Sequence, residues 1–405
     1  MAADATASPP GGAPTFDAGP ILAAMPLVPA DDLGALLALV EDQLPAGTRT
    51  TVLLSDYQES VVSALGAAGV PTGEEVSLEG TLGGRAFRTQ ECRQSADALT
   101  AWVPLTNRWR RLGLLRLDSD GGLPPGWERQ ALPLAHLTAT LLDSATRCTD
   151  AFYTAKRRYP ITVTAEMQWE LLPPLSVAAE GFSVAGRLEP AYDVGGDAFD
   201  YAVTGRTAQL AIFDPLGHDL RSALLAALVV GTYRHARRSG AALAETSREL
   251  DAAVVRQFPD SCMVTGQLFE LDLDTGELCW VNAGHPLPLL LRDGTANEIA
   301  VGPDPPWGMR HPRGTIGRVS LQPGDRLLLY TDGATEARGR DGDQFGLQRL
   351  VDLLTVHAND DESPAELLRR VLNAVIAHRD DALADDASAV LVHWRGPRAE
   401  SALGG

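Results

Sequence analysis

Four aspartates stand where a chain folded into strands would bring carboxylates to a sheet edge. Asp197 follows Gly195-Gly196 in the stretch YDVGGDAFDY. Asp214 ends the apolar run AQLAIF, Asp332 ends RLLLYT, and Asp385 precedes ASAVLVHW. Carboxylate, carbonyl and water oxygens are the ligands that suit hard cations such as Mg²⁺ and Mn²⁺. Buried carboxylates repel one another unless protons or cations neutralise them. Two cations a few ångströms apart, bridged by a carboxylate, make a phosphoryl-transfer site. Each aspartate alone also has an ordinary use. The Asp of a TDG tripeptide is a common turn residue, Asp197 could cap a short element, and Asp385-Asp386 could form a solvated turn.

The elements that must position these residues can be read around them. FSVAGRLEPAYDVGGDAFDYAV gives two strands about a Pro and Gly-Gly turn. TAQLAIFDPLGHDLRSALLAALVVGTYRHARRSG gives a strand ending in Asp, a turn and a long Ala/Leu-rich helix. Residues 264–273 and 277–282 form two strands about a DTG turn, and LADDASAVLVHW closes on a last strand. Nearer the N-terminus, DDLGALLALVEDQL spaces Leu33, Leu36, Leu37 and Val40 as a helix capped by Asp31 or Asp32. TRTTVLLSD, ALTAWVPLT and RRLGLLRLDSD follow as strands. A long helix is expected over residues 128–158, with an apolar stripe including Leu134, Leu137, Leu141 and Leu142, and Pro160 breaks it. TAEMQWELLPP is a second, shorter helix.

The 405 residues suggest two or three domains. With 34 Lys and Arg against 53 Asp and Glu, the formal charge is −19, which disfavours nucleic acid and anionic membrane as partners. Cys92, Cys148, Cys262 and Cys279 form no CxxC pair, so neither a disulfide framework nor a zinc site is implied, and a reducing cytoplasm fits. No secretory leader and no apolar run of about 18 residues is present. The first 20 residues, rich in Ala, Pro and Gly, read as a disordered tail.

From about residue 171 to 394 the chain resembles the PPM metal-dependent Ser/Thr protein phosphatases, in their SpoIIE/RsbU-like branch. The carriers are LLPPL, RLEPAYDVGGDAFDY, FDPLGH, the Ala-rich helix, WVNAGHPLPLLL, PGDRLLLYTDGATEA, FGLQRL and DDASAVLV. The resemblance implies two antiparallel sheets packed face to face with helices outside. It implies two Mn²⁺ or Mg²⁺ ions: Asp214 bridging both, Asp332 and Asp385 completing one shell, Asp197 and the Pro215 carbonyl serving the other. Asp386 replaces Asp385 if the last strand is shifted by one residue. Gly195 and Gly196 would let the backbone approach the metal centre, and Asp200 is expected to be structural. A water acidified by the metals would attack phosphoserine or phosphothreonine in line, with no Cys or His nucleophile. His218 is expected to hold a turn, His285 to be a hydrogen-bonded core residue, and Arg187 to lie on a strand surface, although substrate phosphate is its other use. Asp219 stands where the family has Gly, adding charge beside the site.

The N-terminal part resembles a small GAF domain through LGGRAFRTQECR, WVPLTNRWRRLGLLRL and the closing helix. That likeness implies a six-stranded sheet and a sensory pocket; a dimerising scaffold is the alternative. The expected organisation is α+β: a tail over 1–20, the GAF-like α/β domain over 21–150, a helical linker over 151–174, a phosphatase β-sandwich flanked by helices over 175–396, and a tail over 397–405. The expected function is cytoplasmic dephosphorylation of a regulatory phosphoprotein, which the family makes a STAS-type anti-sigma-factor antagonist, under control of the GAF-like domain. The alternative is a silent phosphatase fold that signals by binding a partner. The apolar stripe of the long helix predicts a homodimer.

Overall fold

Strand-forming runs rich in Val, Leu and aromatics, cut by Gly, Pro and Asp turns, make up most of the chain. A computed structural model describes residues 17–24, 28–108, 110–193, 195–217, 219–258, 262–302, 304–310, 314–357, 362–378 and 386–397. Asp385, His218, most of the N-terminal tail and most of the C-terminal tail lie outside the described residues. The chain divides into two compact units, residues 1–158 and 159–405.

The first unit contains α1 (Gly19–Ala24), α2 (Leu33–Glu41), β1 (Thr48–Ser55), β2 (Val61–Leu65), β3 (Pro71–Ser77), α3 (Leu82–Thr89), β4 (Arg93–Gln94), β5 (Thr100–Asn107), β6 (Arg110–Ser119), α4 (Glu128–Ala145) and α5 (Ala151–Lys156). The strands form one antiparallel sheet in the order β3-β2-β1-β6-β5-β4. The long helix expected over 128–158 is two helices. Thr146 bonds back to the Asp143 carbonyl (2.7 Å) and Thr149 accepts from the Ala151 amide (3.2 Å), so local side-chain bonds end α4 and start α5. The break turns Phe152 and Ala155 into the core.

The stripe predicted to pair two chains is occupied within the unit. Leu134 and Leu142 are fully buried in the core beneath the sheet, and Leu137 and Leu141 pack against it. A helix that closes its own sheet spends its apolar face there, and the stripe gives no ground for a homodimer.

The second unit runs α6 (Val163–Leu171), β7 (Ser176–Ala179), β8 (Phe182–Glu189), β9 (Ala198–Thr204), β10 (Thr207–Pro215), α7 (Leu220–Arg238), α8 (Leu243–Gln257), β11 (Val264–Asp272), β12 (Glu277–Ala283), β13 (Leu289–Arg292), β14 (Thr295–Glu298), β15 (Gly317–Ser320), β16 (Arg326–Tyr330), α9 (Gly333–Glu336), α10 (Gly346–His357), α11 (Pro364–His378) and β17 (Ala387–Trp394). Two antiparallel sheets result, β15-β12-β11-β10-β9 and β14-β13-β16-β17-β8-β7. Their inner faces share one core, with Phe199, Tyr201, Ile212 and Phe269 from the first meeting Phe182, Val184, Leu329 and Val390 from the second. Each such fully buried side chain contributes about 1.5–3 kcal/mol. On the outer faces, α7 and α8 cover the five-stranded sheet around Phe213 and Val229, while α10 and α11 cover the six-stranded sheet around Leu328 and Leu372. The architecture is the expected α+β sandwich flanked by helices. The segment read as a linker divides: α5 belongs to the first unit and α6 to the second.

Candidate metal centre

The strand registers bring three of the predicted aspartates to one end of the sandwich. Phe213 pairs with Ala198 across β9 and β10, and one further step of that register sets Asp214 opposite Asp197. On the other sheet, Tyr330 pairs with Ala389, and the Thr331 amide bonds the Ser388 carbonyl at 3.0 Å. Continued beyond the strands, that register sets Asp332 opposite Ala387 and Gly333 opposite Asp386. Thr331 then spans the two sheets: its hydroxyl donates to Asp197 Oδ2 at 2.7 Å and accepts from the Ser388 amide at 2.9 Å.

Asp197 is 3% exposed. Burial, then the charges of Asp214 and Asp386, push its carboxyl well above the ordinary carboxylate range, and hydrogen bonds from Thr331 and Ser388 only partly offset them. Three carboxylates held this closely call for a proton or a cation. A hard divalent ion with oxygen ligands meets that demand, and the residues fit one. Asp214 is half-buried, with the Thr265 hydroxyl 3.4 Å from Oδ2. Asp332 is also half-buried; it stands at the N-terminus of α9, where its carbonyl accepts from the Thr335 and Glu336 amides (both 2.8 Å) and its side chain makes no cap bond. Pro215 is buried as the last residue of β10, opposite Val264. Among the described residues, no group of three His, Cys, Asp or Glu side chains is arranged to hold a metal ion; the fourth predicted carboxylate, Asp385, lies outside them.

The chain's likeness to known proteins covers this unit. Residues 204–395 match the family model described as Stage II sporulation protein E (SpoIIE). The match lies within the second unit, which in this stretch is similar to the SpoIIE family. The chain is 30% identical over 125 residues to the protein IcfG of a Synechocystis strain, covering 30% of this chain and 19% of that one. It is 26% identical over 208 residues to the phosphoserine phosphatase RsbP of Bacillus subtilis, covering 49% of each. The chain therefore spans half or less of the length of these two curated relatives. Among solved structures, the RsbU and RsbW domains of a Mycobacterium tuberculosis protein match with 26% identity and a TM-score of 0.47, covering 54% of this chain and 63% of that one.

Within the second unit, the sequence does not reveal the roles of several residues that build the site. Asp386 is 4% exposed, and its carboxylate takes the amides of Gly195 (2.8 and 2.7 Å), Gly196 (2.8 Å) and Asp197 (3.3 Å). The Gly-Gly pair thus wraps a carboxylate. A Cβ on Gly196 would stand 2.9 Å from the Ser222 Cβ, and one on Gly333 only 1.9 Å from the Asp386 carbonyl oxygen, so both positions are closed to side chains. The fully buried Gln168 of α6 donates its Nε2 to the Asp197 carbonyl, and Trp169 donates to the Ala191 carbonyl at 2.7 Å. A helix read as a connector therefore holds the turn that carries Asp197. A Gln followed by Trp on a short helix was the available signal, and only the tertiary contact gives it meaning.

The remaining candidates hold other places. Asp200 is buried with Arg234 (2.8 Å) and Arg237 (3.0 Å) and is structural. Arg187 lies against Glu189 (2.9 Å) and reaches Asn373 (3.3 Å). Asp219 caps α7, accepting from the Arg221 (2.9 Å) and Ser222 (3.1 Å) amides, which accounts for an acid at that position. His285 is buried, its Nδ1 2.9 Å from the Thr265 hydroxyl. Burial pushes its imidazole down to about 3, so at neutral pH it is the uncharged ring and not an imidazolium that could serve as a general acid.

Proposed function

We propose that the second unit hydrolyses phosphoserine or phosphothreonine on a regulatory protein, with Mn²⁺ or Mg²⁺ held by Asp197, Asp214, Asp332, Asp385 and the Pro215 carbonyl. The observation that carries this reading is the Asp197 carboxyl, buried and pressed by Asp214 and Asp386 at the shared end of two sheets. Bound divalent ions supply charge neutralisation and an acidified water for in-line attack on phosphorus. The protein's own part is positioning. Asp214 and Asp197 come from adjacent strands of one sheet, and Asp332 follows β16 of the other. Thr331 fixes the aim of Asp197 across the gap, and Thr265 links Asp214 to the neutral His285.

The SpoIIE-family match and the likeness to a phosphoserine phosphatase support this chemistry. The family resemblance extends the proposal to a phosphorylated STAS-type antagonist as substrate and to control by the first unit as a GAF-like sensor. Among the described residues no helix is long and apolar enough to cross a membrane. The test is hydrolysis of an aryl phosphate and of a serine-phosphorylated STAS protein, with Mn²⁺, with Mg²⁺ and with excess chelator. Turnover with either metal and none in chelator is expected. Equal turnover in chelator would overturn the metal mechanism, and hydrolysis of the aryl phosphate alone would overturn the substrate.

A further inference from the structure

We infer that Asp386 is a positioning residue that shapes the turn bearing Asp197 through an amide cradle, and that it is not itself a ligand of the metal. The inference rests on the proposed metal centre for its consequence, but its geometry stands without any ion. Three consecutive main-chain N–H groups, those of Gly195, Gly196 and Asp197, point at one carboxylate at 2.7–3.3 Å. Both oxygens of Asp386 are engaged, Oδ1 by Gly195 and Oδ2 by all three amides. Successive amides turned to one side form an anion-binding concavity, and here the anion comes from the other sheet. A carboxylate so saturated has little lone-pair capacity left to aim at a cation.

The cradle also explains residues that otherwise have no assigned task. The turn must be free of side chains where it closes on its surroundings, and a Cβ on Gly196 would press on Ser222. Gly333 must be bare for the Asp386 main chain to lie where it does, with its carbonyl oxygen 1.9 Å from where that Cβ would be. The Asp197 side chain leaves the turn toward Asp214 and is held by the Thr331 hydroxyl. Its main chain is clamped on the amide side by Asp386 and on the carbonyl side by Gln168. An oxygen acceptor at position 386 is therefore the requirement, and its negative charge is secondary: an amide oxygen satisfies the same N–H groups.

The experiment compares the full-length wild-type chain with Asp386→Asn and Asp386→Ala. Hydrogen exchange of residues 195–197 is followed in chelator, and Mn²⁺ affinity and stoichiometry are measured by calorimetry. The cradle predicts that Asp386→Ala speeds exchange at those amides at least tenfold and weakens Mn²⁺ binding about 10–100-fold at unchanged stoichiometry, as loss of a ligand's supporting partner does. Asp386→Asn should stay within about threefold of wild type in both; this variant keeps the test decisive should the alanine variant fold poorly. Unchanged exchange in Asp386→Ala overturns the cradle. Loss of one bound ion in Asp386→Asn overturns the positioning role and makes Asp386 a ligand. A wild-type chain with protected amides and no Mn²⁺ binding defeats the metal centre, while the exchange data still support the cradle.

Discussion

Replacing Asp214 by Asn should change stability and activity in opposite directions. The Asp214 charge is the largest influence after burial that raises the Asp197 carboxyl. Removing that charge in the metal-free chain relieves this repulsion, the Thr265 bond to Asp214 surviving through the amide oxygen. The melting midpoint in chelator should therefore rise. With metal the sign reverses. A cation at about one hundred times its dissociation constant adds about 2.7 kcal/mol to the wild type, and Asp214→Asn should lose most of this increment. Scanning fluorimetry or calorimetry of both proteins, in chelator and in millimolar Mn²⁺, gives four midpoints, and their crossing is the signature. Turnover of an aryl phosphate should fall by at least about two orders of magnitude, since metal charge stabilisation is worth several kcal/mol. A variant less stable than wild type in chelator and equally stabilised by Mn²⁺ would refute the argument, because Asp214 would then be a structural acid that repels nothing and binds nothing.

Three further outcomes are expected. Asp332→Asn should lose at least about a hundredfold in turnover, since metal charge stabilisation is worth several kcal/mol; near-normal turnover would remove it from the site. Gln168→Leu strips the donor from the Asp197 carbonyl and should weaken Mn²⁺ binding about tenfold while the aspartates stay intact; unchanged affinity would make α6 a simple connector. In the first unit, burial and then the Arg110 charge lower the Lys156 ammonium to about 8, with Asp143 opposing. The folded value lies below the unfolded one, so the unfolded chain binds more protons between about pH 8 and 10.5, and stability rises with pH across that window. Lys156→Met should therefore stabilise the first unit at pH 7, by on the order of 3 kcal/mol, with the gain gone above about pH 10.5; a pH-independent difference would refute the assignment.

Much of the sandwich was legible because strand length, apolar runs and turn residues are local properties. The Asp214 strand, the helix after it and the β11–β12 pair all follow their patterns. That Asp197, Asp214 and Asp332 lie beside strand ends was legible for a related reason: a carboxylate flanking an apolar strand is conspicuous in one dimension. Less local features were not. The helix read over 128–158 breaks at Thr146–Asp150 because side-chain bonds there compete with the helical backbone, a contest that an apolar period does not register. The stripe on α4 looked like a surface for a second chain because the sequence does not say which strand face lies beneath it.

The role of position 386 shows most clearly what a pattern leaves out. Two adjacent aspartates are equivalent as letters, and a strand shifted by one residue exchanges their faces. The pairing of Ala387 with Glu189 and of Ala389 with Tyr330 sets the register of β17. From that register the Asp386 carboxylate enters the Gly195–Asp197 turn, which belongs to a segment some 190 residues earlier. The glycines that seemed to clear space for a metal clear it for this carboxylate and for the start of α7. The identity of a site residue thus depends on a contact between two sheets that share no local sequence. The same contact places Thr331 and Ser388 beside Asp197, and Gln168 reaches its carbonyl separately from α6. A carboxylate whose main chain and side chain are both clamped loses little freedom when a cation arrives, so its charge repulsion is stored in the fold beforehand and released on binding.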